Sequence, residues 1–461
     1  MSRLPSLGIP PLAGLANYEG AQKVGPSVDE NVDLLRRYNY IKSRLYEISA
    51  SFMNPTPEWE VKCALSLHLY LDGEHSQSMR ARVAELRRPP LYLDESPDDR
   101  LQLLMDEAIS SQNTIELLSS VYGVIRPALI EAFEAHLSRL NPIVDHPTAR
   151  IFRQMIQEET QMTEWGAAAL AALTADEQDA ATAKSWATHI SMYLAAAGGV
   201  AGTDPKPDNV SLPTARFTGS FVPDVDPKRD WRSGDIYNFA YRADEVYNDS
   251  TADYDERNLA LMYKRFHEMD VPEMMASIVV QTKGKDWEYY RDMGRQLWDE
   301  ARHAMMGEIW FAKYDIDWSR YPNHVAFSLY LNLDRTPLER HIVLYNIEQS
   351  LMNGKWGKRQ EWLIAQNAND PLATYFQDYD WADEVLHAQI GRKWLKPEIG
   401  TVKAILDRAA EINAKPRENL EARRKSTAQI DWWPTYVSDI LGKPSTSKNS
   451  EPNLDQAPLS G

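Results

Sequence analysis

The order of apolar, polar and helix-breaking positions along the chain is that of a helical protein. Long stretches of Ala, Leu, Met, Glu, Arg and Gln are separated by gaps where Pro and Gly gather. Runs that alternate with a period of two are few. Val279-Val280 and Ile342-Val343 are short and sit in helix-like surroundings. The pattern predicts an all-α chain with helices over 31–52, 58–86, 97–119, 126–140, 147–173 and 176–197 in the first half. Pro127 marks a kink or break between the third and fourth. In the second half it predicts helices over 258–283, 286–314, 337–366, 371–395 and 402–414. Asp370-Pro371 supplies an N-cap followed by Pro at the first helical position.

Each half thus reads as about four long helices, a tandem of bundles. The organisation expected is an extended N-terminal arm (1–30), a first bundle (31–197), a Pro/Gly/Asp-rich linker (198–234), a second bundle (235–442) and an unstructured tail (443–461). Leu71-Asp72-Gly73-Glu74-His75 is faintly similar to Asp299-Glu300-Ala301-Arg302-His303, which hints at an internal repeat.

Composition narrows the function classes. The chain has 461 residues, 43% of them hydrophobic, and a formal net charge of −17. An acidic chain without a Lys/Arg-rich block is a poor match for nucleic acid or an anionic membrane surface. The most apolar stretches, 167–173 and 192–202, fall well short of the about 18 residues a spanning helix needs. The N-terminal stretch has no compact apolar segment and reads as an arm rather than a signal peptide. The single cysteine, Cys63, excludes an internal disulfide, a Cys-ligated cluster and a Cys-rich zinc site. Its Val61-Lys62-Cys63-Ala64-Leu65 setting suggests helix packing. A cytoplasmic location fits this thiol usage.

Two segments carry chemistry. Asp299-Glu300-Ala301-Arg302-His303-Ala304 and Asp383-Glu384-Val385-Leu386-His387-Ala388 both read Asp-Glu-x-x-His-Ala on predicted helices. Residues three apart share a helix face, so each pair can aim a carboxylate and an imidazole at one ion. With one further Glu from each of two more helices, the set becomes four carboxylates and two histidines. That is the ligand set of a di-iron or di-manganese carboxylate centre. Reflecting Glu300/His303 through the predicted turn near Gly284-Lys285 leads to Glu268; reflecting Glu384/His387 through the turn near 367–370 leads to Glu348. Glu273 competes with Glu268 but lies about 140° further round the helix. The expected metal ligands are therefore Glu268, Glu300, His303, Glu348, Glu384 and His387. Apolar flanks such as Leu297-Trp298 and Ile309-Trp310-Phe311 place these groups in core-facing helices, where ionisable side chains need a partner. Asp299 and Asp383 are expected to accept from the ligating histidines across the bundle, and Arg302 to bridge to one of these aspartates.

These residues resemble the ferritin-like di-iron carboxylate superfamily. The Asp-Glu-x-Arg-His run at Asp299–His303 is similar to the motif of bacterial multicomponent monooxygenase hydroxylases, from which Leu386 departs, since that motif has Arg there. A nearer likeness is to an uncharacterised ferritin-like domain family with a His-Glu-x₄-Glu helix (here His267-Glu268 to Glu273), a Glu-Ala-Arg-His helix (Glu300–His303) and Glu-x-x-His-x-x-x-Gly-x-x-Trp (Glu384 to Trp394). The likeness spans about 258–396. It implies tandem ferritin-like four-helix bundles, a two-metal site in the second, and a first bundle without metal. It further implies an O₂-activating oxidase or oxygenase that hydroxylates, desaturates, N-oxygenates or cleaves a small organic substrate.

The implied cofactors are two iron ions, with manganese or a mixed iron–manganese pair as alternatives and O₂ as co-substrate. Gly198-Gly199-Val200-Ala201-Gly202 follows a helical pattern and is no dinucleotide loop, so electrons must come from a separate donor or from the substrate. Tryptophans of the second half, among them Trp298, Trp310, Trp356 and Trp394, are read mainly as core packing. Ferroxidase, storage or manganese-catalase chemistry and a scaffold subunit of a larger oxidase are the competing classes. A homodimer is the base-rate expectation.

Overall fold

The structure is a computed structural model that describes residues 7–87, 89, 92–205, 212–352 and 357–448. The described chain is all-α. It divides into two compact units: Met1–Ile48 with Leu71–Val222, and Ser49–Tyr70 with Pro223–Gly461. The divisions at 48/49 and 70/71 fall inside the first two helices, α1 (Val28–Phe52) and α2 (Trp59–Glu85).

The first unit takes the start of α1, the end of α2, and α3 (Asp99–Ile109), α4 (Thr114–Ser120), α5 (Arg126–Arg139), α6 (His146–Leu173) and α7 (Glu177–Ala196). The expected helix over 97–119 is two helices. It breaks at Ser110, and Asn113 restarts the chain by accepting from the Glu116 N–H. Of the kink or break expected at Pro127, no break occurs. A π-turn, Val121–Ile125, joins α4 to α5, and Pro127 falls in the first turn of α5, where its missing N–H is tolerated. α7 packs on α3 and α4, and α5 on α6. Tyr38, Phe133 and Phe152 form an aromatic core, with the two Phe rings stacked at 5.2 Å.

The second unit adds α8 (Ala243–Asn248), α9 (Tyr254–His267), α10 (Asp270–Gln281), α11 (Trp287–Lys313), α12 (Ala326–Asp334), α13 (Pro337–Leu351), α14 (Lys358–Asn367), α15 (Pro371–Ile399), α16 (Val402–Asn413), α17 (Glu418–Lys425) and α18 (Trp433–Leu441). The expected helix over 258–283 is interrupted at Glu268. Pro272 has no N–H to donate to the Glu268 carbonyl, and its ring crowds that group; the Val271 N–H takes it instead at 2.9 Å. The expected helix over 337–366 ends at Leu351 and resumes at Lys358 beyond Gly357, whose φ is 127°. Residues 353–356 lie outside the described residues. α8, α12, α17 and α18 are additions that the pattern did not predict. Lys443–Lys448 is non-helical and held: Ser445 and Thr446 donate to Glu256, and the Lys448 N–H to Asp249. The rest of the expected tail, 449–461, lies outside the described residues.

α9 and α10 act as one broken rod, and α13 and α14 as another. α10, α11, α15 and α13 pack in a closed ring, and so do α9, α11, α15 and α14. A four-membered bundle therefore runs through both levels, with two continuous helices and two broken ones. Apolar packing at the α9 end gathers Phe266, Phe311, Trp433, Tyr436 and the buried Cys63. Burial pushes the Cys63 thiol well up, which fits its packing role. Among the described residues no helix is long and apolar enough to cross a membrane.

Close approach is secured by two glycines. A Cβ on Gly307 of α11 would collide with the Phe266 backbone of α9. A Cβ on Gly391 of α15 would stand 2.6 Å from the Tyr345 ring of α13. We expect Gly307→Ala to cost about 2–3 kcal/mol, because backbone rather than a flexible side chain must yield. Gly123→Ala, with open space around it, should be neutral or slightly stabilising. Urea unfolding of the two variants checks both.

Candidate metal centre

α11 and α15 carry a longer repeat than their first six residues suggest. Asp299-Glu300-x-x-His303-Ala304-x-x-Gly307-x-x-Trp310 matches Asp383-Glu384-x-x-His387-Ala388-x-x-Gly391-x-x-Trp394. Each Gly lies one turn beyond its His and lets the neighbouring rod come close. Each Glu–His pair projects from the face its helix turns into the bundle.

The two helices brace each other reciprocally. His303 Nε2 lies 3.2 Å from Asp383, and His387 Nε2 lies 3.4 Å from Asp299. Residue 299 pairs with 387 and 303 with 383, so the helices are antiparallel here. The aspartates sit where they hold the Nε2–H tautomer and leave Nδ1 as the inward-facing atom. Arg302 spans both aspartates, contacting Asp299 and reaching Asp383 at 2.9 Å. Arg295 adds a contact to Asp299 at 2.9 Å. Leu386 stands in α15 where α11 has Arg302, and the single guanidinium serves both halves of the repeat.

Glu300 occupies the middle. One carboxylate oxygen lies 3.0 Å from His387 Nδ1, the other 3.5 Å from His303 Nδ1. Around it are two groups. Glu300, Glu348, Glu384 and His387 offer ligand atoms within 4.8 Å of one another, and so do Glu268, His303 and Asp380. All seven residues are at most 4% exposed. The structure thus brings all six expected ligands into two adjoining groups. Glu273 is elsewhere engaged, by Lys62 at 2.6 Å, Ser328 at 2.9 Å and Arg229.

Four residues near the ligands escaped the sequence reading. Asp380 lies one turn before Glu384 on the same face, and the Asp-x-x-x-Glu spacing was the available signal. Gln296, its counterpart before Glu300, donates to Glu348 at 3.0 Å. Arg265 reaches Glu268 at 2.8 Å and also contacts Asp380. Lys358 lies 2.9 Å from both Asp380 and Glu384. No motif announces these two cations; the helix breaks deliver them.

The electrostatics are those of carboxylates short of positive charge. Burial alone would lower the His303 pKa, but Asp380, Asp383 and Glu300 raise it to about 10. The carboxylates around His387 act likewise, against its burial, and push it well up. Burial, partly offset by Arg265, raises Glu268 to about 7. Burial and the neighbouring Glu384 raise Glu348 well above the carboxylate range. Glu300 falls to about 2, because its contacts to the two imidazoles outweigh burial and Glu384.

Orphaned atoms test whether a metal fits. Both Glu268 oxygens, Glu348 Oε2, Asp380 Oδ2 and His303 Nδ1 are buried without a well-aligned hydrogen bond, although Glu268 and Asp380 have ion-pair contacts. These are oxygen and imidazole ligands converging on one place, and they suit iron, manganese or zinc. The first unit offers the contrast. Asp72, His75 and Glu159 also converge there. Lys42 and Arg126 each contact both acids, Arg126 at 2.8 Å from Asp72 and 3.0 Å from Glu159. No oxygen of these two acids is left unpartnered. In a third convergence, His267, Asp270 and His324, the acid is engaged, while His267 Nε2 and His324 Nε2 are buried without a hydrogen bond. Asp270 accepts from Arg229 at 3.0 Å and from the Phe327 N–H at 3.1 Å, and His324 Nδ1 accepts the Ala326 N–H at 3.2 Å.

Of the tryptophans, Trp310 is buried and donates to Asp370 at 2.6 Å. Trp298 and Trp394 are half-buried, and Trp356 lies outside the described residues. No protein-family model matches this chain, no curated protein matches it, and no solved structure matches its fold.

Asp383→Asn weakens the acceptor for His303 and one end of the Arg302 bridge. We expect it to reduce Co²⁺ affinity by about 10- to 100-fold, with helix content unchanged. Titration followed by visible absorption, alongside circular dichroism, checks this.

Proposed function

We propose that the second unit is a ferritin-like bundle holding a dinuclear iron centre, with manganese as the alternative, that activates O₂ to oxidise a small organic molecule. The observation that carries this reading is Glu300. It is a single buried carboxylate whose two oxygens face two imidazoles from different helices, each imidazole set within its own group of acids.

Glu300, Glu348, Glu384 and His387 would hold one ion, and Glu268, His303 and Asp380 the other, with Glu300 shared. When bound, a pair of ferrous ions supplies the electrons that begin O₂ reduction. The protein's part is positional. Asp299 and Asp383 orient His387 and His303 through Nε2, so that Nδ1 of each would face an ion, whose binding would displace the Nδ1 proton. Arg302 ties the two aspartates into one unit, so the imidazoles cannot rotate independently. Apolar packing excludes water from the cluster.

A second reading rests on a specific observation. Arg265 and Lys358 already touch three of the acids, and Lys42 and Arg126 likewise touch both acids of the first unit. On that view the cluster is a metal-free polar network and the chain a helical scaffold. Glu268 Oε1 and Glu348 Oε2, buried without a hydrogen bond, favour the metal reading.

Anaerobic loading with Fe²⁺ followed by exposure to O₂ separates the two. We expect bound iron, a transient visible band and O₂ consumption above that of free Fe²⁺. We expect all three to be lost in a Glu384→Ala, His387→Ala variant that keeps its helix content. Absence of bound iron, or binding unaffected in that variant, would establish the scaffold reading.

A further inference from the structure

The repeat that builds the centre is broken at one informative position. One turn before the Glu, α11 has Gln296 and α15 has Asp380. On the Gln296 side an amide donates to Glu348, and the group Glu300, Glu348, Glu384 and His387 meets one cation, at Glu384. On the Asp380 side, both acids of the group Glu268, His303 and Asp380 are already covered. Arg265 contacts Glu268 at 2.8 Å and Asp380, and Lys358 contacts Asp380 at 2.9 Å.

Arg265 is itself anchored. Glu361 accepts from it at 3.3 Å and from Lys264 at 2.7 Å. Lys358 straddles the two groups, with Glu384 and Asp380 both at 2.9 Å. Lys358 also meets three acids, with Glu361 at 3.8 Å, but its ammonium is a compact charge on a flexible stem, whereas the planar guanidinium of Arg265 is fixed in orientation. Of the two cations, Lys358 is the one that can leave.

We propose that the two metal positions are unequal and fill in order, and that Lys358 holds the second one shut. The first ion goes to Glu300, Glu348, Glu384 and His387. The group of Glu268, His303 and Asp380 takes an ion only when Lys358 withdraws from Asp380. Lys358 thus supplies, in the singly loaded protein, the positive charge that the second ion later brings. This rests on the metal reading of the site and adds an order of assembly and a residue that controls it.

Anaerobic titration of the full chain with Fe²⁺, by calorimetry and by metal analysis after gel filtration, tests the proposal without turnover. The wild type should bind in two steps at least about tenfold apart in affinity. Lys358→Met should tighten the second step by about tenfold or more and bring the two steps together. Asp380→Asn should abolish the second step and leave the first. His387→Ala should abolish the first. Two indistinguishable steps in the wild type, or a second step unmoved by Lys358→Met, would overturn the ordering while leaving the metal centre standing. No binding at all would overturn both. Should Lys358→Met fail to fold by circular dichroism, the wild-type steps and Asp380→Asn still decide.

Discussion

Carboxylates removed from water must find positive charge, and the second unit is organised around that requirement. Glu268, Glu300, Glu348, Asp380 and Glu384 are buried together, and each would carry a heavy desolvation cost if left alone. Arg265 and Lys358 compensate part of it. The remainder falls to protons: both imidazoles are driven toward their charged form, and Glu268 and Glu348 toward their neutral one. A proton satisfies one or two atoms, and Glu268 Oε1 and Glu348 Oε2 stay buried without a hydrogen bond. A divalent ion would replace several protons at once and coordinate the atoms now unpartnered. In the first unit one ammonium and one guanidinium, Lys42 and Arg126, each contact both Asp72 and Glu159.

Backbone features bring these groups to a common place. Pro272 ends α9 at Glu268, so that this acid sits at a break rather than along a regular helix face. The interruption between Leu351 and Lys358 puts Glu348 before a break and Lys358 after one, so one rod contributes both an acid and its counter-charge. The continuous helices do the opposite work. α11 and α15 hold their Glu, His and Asp at fixed helical spacing, and Gly307 and Gly391 draw the broken rods against them. Regular elements supply the repeat, and irregular ones supply what completes it.

This division explains what could be read from the amino acids alone. The all-α character and most helix ends follow from Pro, Gly and capping residues, as at Asp370-Pro371, where Asp370 accepts from the Leu372 and Ala373 N–H groups. The Asp-Glu-x-x-His-Ala pairs were legible because helical spacing alone puts their ligands on one face. A role for Asp299 and Asp383 beside the histidines was legible, but which histidine each serves is set by the antiparallel packing of α11 and α15. Glu268 and Glu348 were reached by assuming straight antiparallel helices, and the acids are indeed in the cluster although both helices are broken. The breaks themselves were not anticipated. A single Pro inside an apolar run reads as a kink, and only the packing around Glu268 decides that it becomes an end. Arg265 and Lys358 were invisible because a cation on a helix reads as a solvated face. Its burial depends on which acids the other three rods bring opposite it.

The reciprocal bracing also constrains how the centre can move. Asp299 holds His387 while Asp383 holds His303, and Arg302 joins the two aspartates. Sliding α11 against α15 would break both pairs together, so the pair of long helices behaves as one rigid element. The interrupted helices contribute Glu268, Glu348, Arg265 and Lys358. These are the groups that supply the outer acids and the competing cations. A centre built this way keeps its two imidazoles and its shared Glu300 in fixed register, while the charge around them adjusts. On the proposed reading, that arrangement suits a site whose occupancy and charge change.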